Sequence, residues 1–177
     1  MEITGTKQNI LLTGGFGTVG TPLVDKLIDV GCYIYIIDNL SKQESLESYT
    51  NMNFRVKASY TDISYSSYIW ADIKFSHIIH LAAYTNEEAA DVDYIKAYTD
   101  NLLGTIRMIN KCIDKNINFI YLHYPETTGY LGLIKNQVLE VIEYYSKYKN
   151  LHCSIINCDS NQSLEDIHSN ILQSVLN

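Results

Sequence analysis

Thr13-Gly14-Gly15-Phe16-Gly17-Thr18-Val19-Gly20 is the stretch that decides the fold. An apolar run, Asn9-Ile10-Leu11-Leu12-Thr13, leads into it, and Thr21 to Val30, with leucine and valine at helical spacing, follows it and ends at Gly31. A strand, a glycine turn and a helix in that order suit a phosphate group. Glycine lets the turn be tight, lets the backbone approach an anion with no Cβ in the way, and lets the helix pack close to the strand. The helix N-terminus then points unpaired N–H groups at the anion. Gly14, Gly17 and Gly20 fit G-x-x-G-x-x-G, while Gly15, Gly17 and Gly20 fit G-x-G-x-x-G. Spacing alone is also compatible with a plain glycine turn.

Asp38 supplies the second signal. It follows the apolar run Cys32-Tyr33-Ile34-Tyr35-Ile36-Ile37 and stands 18 residues after Gly20. A carboxylate about 20 residues beyond the glycines accepts hydrogen bonds from an adenosine ribose, and it would repel a 2′-phosphate. The expected cofactor is therefore NAD rather than NADP. A Walker-type nucleotide site is excluded, since no Gly-Lys-Ser/Thr follows the loop.

Outward from this unit, short apolar runs alternate with helical stretches, the pattern of a parallel sheet covered on both faces. Further strands are expected at Phe54–Ala58, His77–Leu81, Phe119–Leu122 and Cys153–Ile156. Helices are expected over Asp93–Lys115, bent near Gly104, over Leu133–Tyr148, and over Ser163–Leu176, with Ser163 as N-cap and Asp166 three positions on. The fold class is α/β: a Rossmann-type, doubly wound parallel sheet of about six strands in three layers. Residues 1–177 read as a single domain, with no repeat or linker.

Composition narrows the function. With 13 basic and 20 acidic residues the net charge is −7, and no Lys/Arg run is present to follow a phosphate backbone, which argues against nucleic acid. Met1-Glu2-Ile3-Thr4-Gly5 lacks the order of a signal peptide, and no apolar stretch reaches the ~20 residues that span a bilayer, so a cytoplasmic location with no membrane contact is expected. Cys32, Cys112, Cys153 and Cys158 show no C-x-x-C spacing and read as free thiols, with no metal site.

Together these motifs resemble the extended short-chain dehydrogenases, specifically the NAD-dependent nucleotide-sugar epimerase/dehydratase family and within it the 4,6-dehydratase pattern. The resemblance runs from Asn9 to about Asp159. It implies cofactor contacts from Gly14, Gly17, Thr18, Val19, Gly20, Asp38 and Asn39. It further implies contacts from Asp62 and Ile63 beside adenine, from Leu81, Ala82 and Ala83 along the cofactor, and from Lys135 at the nicotinamide ribose. Asn101-Leu102-Leu103-Gly104-Thr105 resembles the family's Asn-x-x-Gly-Thr helix.

The resemblance breaks where chemistry is expected. The family's Ser-Thr-Asp-Glu-x-Tyr-Gly segment corresponds here to His123-Tyr124-Pro125-Glu126-Thr127-Thr128-Gly129, with Tyr124 at the catalytic hydroxyl and Pro125 at the acid. The family's Tyr-x-x-x-Lys corresponds to Leu131-Gly132-Leu133-Ile134-Lys135, with leucine in place of the tyrosine. Leucine transfers no proton. Tyr130 stands five residues before Lys135 instead of four, about 100° away around a helix, unless the helix starts differently. Tyr124, Glu126, Tyr130 and Lys135 are thus the candidate catalytic residues. His80 and His123 could approach a nicotinamide, yet a lone strand histidine is more often structural.

Family enzymes have roughly twice the length of one such domain, and their C-terminal part holds the nucleotide sugar; here only Asn161–Asn177 follows the sixth strand. The expectation is a shortened, catalytically degenerate relative that keeps NAD and lacks the usual substrate domain. It would hold a nucleotide sugar only loosely. It would pair with itself or a full-length relative through the helices at Asp93–Lys115 and Leu133–Tyr148. The alternatives are an active epimerase/dehydratase with substitute acid/base residues, and a structural or dimerisation module without cofactor.

Overall fold

Apolar side chains at alternate strand positions send their bulk to opposite faces of a sheet, so a strand apolar throughout needs cover on both sides. The structure, a computed structural model, describes residues 8–41, 53–63 and 70–177; Met1–Gly5 lies outside them. Strands β1 (Asn9–Thr13), β2 (Tyr33–Asp38), β3 (Val56–Tyr60), β4 (His77–His80), β5 (Asn118–His123) and β6 (Cys153–Asn157) form one parallel sheet in the order β3-β2-β1-β4-β5-β6. Leu12, Ile34 and Ile36 pack on one face with Leu23 and Leu27 of α1 (Gly20–Asp29) and Ile171 of α6 (Leu164–Leu176). Leu11, Ile78 and Phe119 pack on the other with Met108 of α4 (Gly104–Lys115) and Val138 and Ile142 of α5 (Gly129–Tyr148). Each such buried side chain contributes roughly 1.5–3 kcal/mol. Three layers result.

Several boundaries differ from the sequence reading. β3 begins at Val56 instead of Phe54, whose ring is 79% exposed. A short helix, α2 (Glu87–Val92), was not expected; Asn86 caps it by accepting from Ala89 N–H at 2.9 Å, and Glu87 and Glu88 complement its dipole. The long helix over Asp93–Lys115 is broken into α3 (Tyr94–Tyr98), a π-helical turn (Thr99–Leu103) and α4. The irregularity therefore lies just before Gly104 and is a π-turn. Helix α5 starts at Gly129, four residues earlier than Leu133. Ser163 does cap α6, in a full capping box with Asp166. Among the described residues no helix is long and apolar enough to cross a membrane.

The strand order reverses between β1 and β4, and a crevice opens there beyond the C-terminal strand ends. A buried hydrogen-bond chain fixes its floor. Thr13 Oγ1 lies 2.7 Å from His80 Nδ1, His80 Nε2 lies 3.0 Å from Thr105 Oγ1, Thr105 Oγ1 donates to Asn101 O at 2.5 Å, and Ala82 N–H donates to Thr13 Oγ1 at 3.2 Å. Each hydroxyl has one proton, so the directions are forced. Thr105 gives its proton to Asn101, so it accepts from His80 Nε2–H, and His80 Nδ1 accepts from Thr13. His80 is the neutral Nε2–H tautomer, a structural group. Asn101 extends the chain, accepting from Tyr84 N–H at 2.7 Å and donating to Tyr84 O at 3.0 Å.

Burial pushes the His80 imidazole down from 6.5 to about 4. Between those values the unfolded chain binds the proton and the folded chain does not, so stability falls as pH falls. Urea unfolding at pH 7 and pH 4 is expected to show less stability at the lower pH, by on the order of 2–3 kcal/mol from His80, and His80→Gln should flatten that slope. Equal slopes for both proteins would refute the assignment.

Candidate functional site

The glycine turn joins β1 to α1 at the crevice. Gly14 has φ +68°, and a Cβ on it would stand 2.6 Å from Ala82 N, in the backbone that leaves β4. A Cβ on Gly20 would stand 2.7 Å from the Gly14 carbonyl oxygen. These two glycines are demanded by the chain's own packing. Gly17 differs: a Cβ there would meet only the Gly14 oxygen, at 3.4 Å, and would otherwise occupy open cleft. The first hydrogen bond returned by the helix is from Thr21 N–H to Gly17 O at 3.0 Å, so the N–H groups of Thr18, Val19 and Gly20 lie ahead of it at the helix N-terminus. Among the described residues no side chain caps that end, and no acidic residue lies in its first turn. An anion seat has this form.

A cleft of about 440 Å³ extends from this turn. Its lining includes Gly14, Gly17, Thr18, Val19 and Gly20, then Asp38, Asn39, Asp62 and Ile63 at one end. Leu81, Ala82 and Ala83 form its wall, and Lys135 and Tyr124 close the other end. All the residues expected to touch a cofactor therefore meet in one space. Asp38 is held in place by two backbone donors, Phe16 N–H on Oδ2 and Leu40 N–H on Oδ1, each at 2.9 Å. Each carboxylate oxygen accepts more than one hydrogen bond, so acceptor capacity remains for hydroxyls. Phe16 does not fill the seat; its ring is buried and stacks on Tyr60 at 6.0 Å. Gly104 is explained by the same cleft: a Cβ there would stand 2.5 Å from the Ile63 side chain.

The Lys135 end is built differently from the sequence expectation. Lys135 Nζ donates to Thr127 Oγ1 at 2.7 Å and lies 4.9 Å from the centre of the Tyr124 ring. Thr127 was not among the candidates, although Thr127-Thr128-Gly129 could have marked an earlier helix start. Gly132 permits this arrangement, because a Cβ on it would strike the Thr127 carbonyl. Leu131 is buried in the core at 2% exposure. Tyr130 turns away from the cleft and packs edge-on against Tyr94, ring centres 6.0 Å apart. Glu126 sits in a neighbouring hollow and accepts from Ser160 Oγ at 3.1 Å. The structure thus brings Tyr124 and Lys135 together and leaves Glu126 and Tyr130 outside the cleft.

Electrostatics set what these groups do. Cys158 stands beside the Tyr124 phenol, and its thiol proton is directed at Ile156 O at 3.6 Å. Burial, with Cys158 adding to it, pushes the Tyr124 phenol up to about 12. Burial lowers Lys135, with Glu87 opposing that shift. His123 is lowered by burial and by Lys135, and its buried Nδ1 has no partner among the described residues. All four cysteines are free, and among the described residues no group of His, Cys, Asp or Glu stands close enough to hold a metal ion.

A 3-2-1-4-5-6 parallel sheet with a glycine turn after the first strand and an acid after the second defines a Rossmann-type fold. The chain belongs to the NAD dependent epimerase/dehydratase family, whose pattern matches residues 10–150. It is 30% identical over 118 residues to the Bifunctional protein GAL10 of Candida maltosa, covering 62% of this chain and 76% of that one. Identity to the dTDP-D-glucose 4,6-dehydratase of Dictyostelium discoideum is 30% over 137 residues, or 73% of this chain and 31% of the dehydratase. Among solved structures, the UDP-glucose 4-epimerase of Thermotoga maritima with UDP-glucose shares the fold at TM-score 0.74 and 21% identity, over 85% of this chain and 55% of the epimerase. WbmF of Bordetella bronchiseptica, in complex with NAD+ and UDP, does so at TM-score 0.75 and 20% identity, over 86% and 49%. The chain spans about a third of the dehydratase and about half of these solved chains.

The two kinds of glycine separate experimentally. Gly14→Ala should lower stability to urea by roughly 2–4 kcal/mol, from left-handed strain plus the Ala82 clash, whereas Gly17→Ala should stay within about 1 kcal/mol of the wild type. Equal losses at both positions would mean that Gly17 is also held by the chain itself.

Proposed function

We propose that this chain binds NAD in the cleft between β1 and β4 and has lost the proton transfer of its family. The binding half is supported by the fit of the residues. The N–H groups of Thr18, Val19 and Gly20 would hold the diphosphate, Asp38 the adenosine ribose, Asp62 and Ile63 the adenine, and Lys135 the nicotinamide ribose. Preference over NADP follows from the Asp38 carboxylate, which repels a 2′-phosphate. When bound, NAD supplies a hydride acceptor. That WbmF was solved in complex with NAD+ and the Thermus thermophilus epimerase in complex with NAD supports NAD as the class of ligand.

One observation carries the other half: the hydroxyl paired with the Lys135 ammonium is the aliphatic hydroxyl of Thr127 at 2.7 Å. A base for a sugar hydroxyl needs a phenol whose ionisation is favoured by the ammonium. Leu131 offers none. Tyr124 is the phenol in reach, but burial shifts it to about 12, away from phenolate. A working enzyme with Tyr124 as substitute base is the rival that its position beside Lys135 favours. Glu87, Glu126 and Asp159 line the hollow beyond Tyr124, and three carboxylates there disfavour a nucleotide diphosphate, so a nucleotide sugar is held loosely. The four free thiols suit a reducing, cytoplasmic setting.

Exposed Ile95, Leu103, Leu133 and Tyr144, on α3, the π-turn and α5, support self-association or pairing with a longer relative through these helices. Light scattering should give a dimer mass that Leu133→Glu reduces to the monomer; a monomeric wild type that stays monomeric with a longer relative would end this part.

Calorimetry should show NAD binding at least about tenfold tighter than NADP, a gap of about 1.4 kcal/mol. No heat from either at millimolar concentration would overturn the binding half. Incubation with NAD and dTDP- or UDP-glucose should yield no 4-keto-6-deoxy sugar; clear turnover would overturn the other half.

A further inference from the structure

His168 is a buried polar residue that neither the core nor the cleft lining calls for. It lies on α6, 1% exposed, between Ile167 and Ile171, which pack in the same core as Leu23 and Leu27 of α1. An apolar side chain would fill this place, and burying an imidazole is unfavourable unless it is hydrogen-bonded. Its Nε2 lies 3.0 Å from Val19 O, 149 residues away in sequence. A carbonyl oxygen only accepts, so Nε2 carries the proton and donates it.

Val19 is the N-cap residue of α1 and lines the cleft. Its carbonyl belongs to the same planar peptide as the N–H of Gly20, and in a trans peptide the two groups point in opposite directions. Fixing the Val19 oxygen toward α6 therefore fixes the Gly20 N–H toward the end of the helix that faces the cleft. As an N-cap carbonyl the Val19 oxygen also takes the first bond within α1, so His168 supplies a second, inter-helix restraint on this peptide. The two helices are joined a second time by Lys26 Nζ on both Glu165 carboxylate oxygens at 2.8 Å, an exposed pair remote from that peptide.

We propose that His168 is a positioning residue of the dinucleotide seat: by holding the Val19 carbonyl it orients the Val19–Gly20 peptide so that the Gly20 N–H is preorganised for the diphosphate. This rests on the reading of the cleft as an NAD site. Preorganised donors raise affinity by removing the ordering that binding would otherwise require.

The test compares His168→Leu, His168→Gln, whose amide nitrogen can replace Nε2 as donor, and Glu165→Gln, which breaks only the surface pair. His168→Leu is expected to weaken NAD binding roughly tenfold and to shift the Gly20 amide resonance in the ligand-free protein. His168→Gln should recover most of both, and Glu165→Gln should change neither. Unchanged affinity and an unmoved Gly20 resonance in His168→Leu would overturn the proposal, as would equal weakening by Glu165→Gln, which would reduce His168 to helix docking. Should His168→Leu fail to fold, the His168→Gln and Glu165→Gln pair decides: a Gly20 resonance at its wild-type position in both supports the proposal, and one displaced in both alike contradicts it. If the wild type binds no NAD, the cleft reading fails, and the Gly20 resonance still judges the peptide restraint by itself.

Discussion

The close backbone approach of Gly14 to Ala82 is the constraint on which the site depends. It is possible only because Gly14 has no Cβ and adopts φ +68°. It brings the turn after β1 against the segment after β4, at the point where the strand order reverses. The Thr13–His80–Thr105–Asn101 chain lies directly behind that contact and ties both strands to the π-turn. The cleft wall at Ala82–Tyr84 is thus set by buried, directional hydrogen bonds, which lose their donor–acceptor order if His80 gains a second proton.

The two ends of the cleft contrast in how their polar groups are used. At the glycine end, backbone donors face open space, and Asp38 is held by two amides with acceptor capacity to spare. At the Lys135 end polar hydrogens already have destinations within the chain: one of the Lys135 ammonium on Thr127, and that of the Cys158 thiol on Ile156. A group that must release and regain a proton works best with a pKa near the operating pH. Tyr124 is displaced in the opposite direction by burial.

The sheet and the seat were legible in the sequence because both follow from short-range chemistry. Alternation of apolar runs with helical stretches reports cover on both faces, and the offset from Gly20 to Asp38 reports one strand–helix–strand unit. What was not legible depended on contacts distant in sequence. The start of α5 at Gly129 follows from packing of Gly132 under the Thr127 carbonyl, and it moves Tyr130 onto Tyr94 and brings Thr127 to Lys135. Helix α2 had a local signal in Asn86 with Glu87 and Glu88, but it is short and has little apolar period. The bend before Gly104 was legible as a break in the helix, while its π-turn geometry depends on Asn101 clamping Tyr84. His168 carries no local signal, because its partner is the Val19 carbonyl, 149 residues away.

A crystal structure grown in the presence of NAD tests the account most directly. It should show the two phosphates within hydrogen-bond reach of the Thr18–Gly20 amides, the adenosine ribose hydroxyls on Asp38, and Thr127 still holding the Lys135 ammonium. A cleft without dinucleotide, or a tyrosine hydroxyl swung in to replace Thr127 beside the nicotinamide, would contradict it.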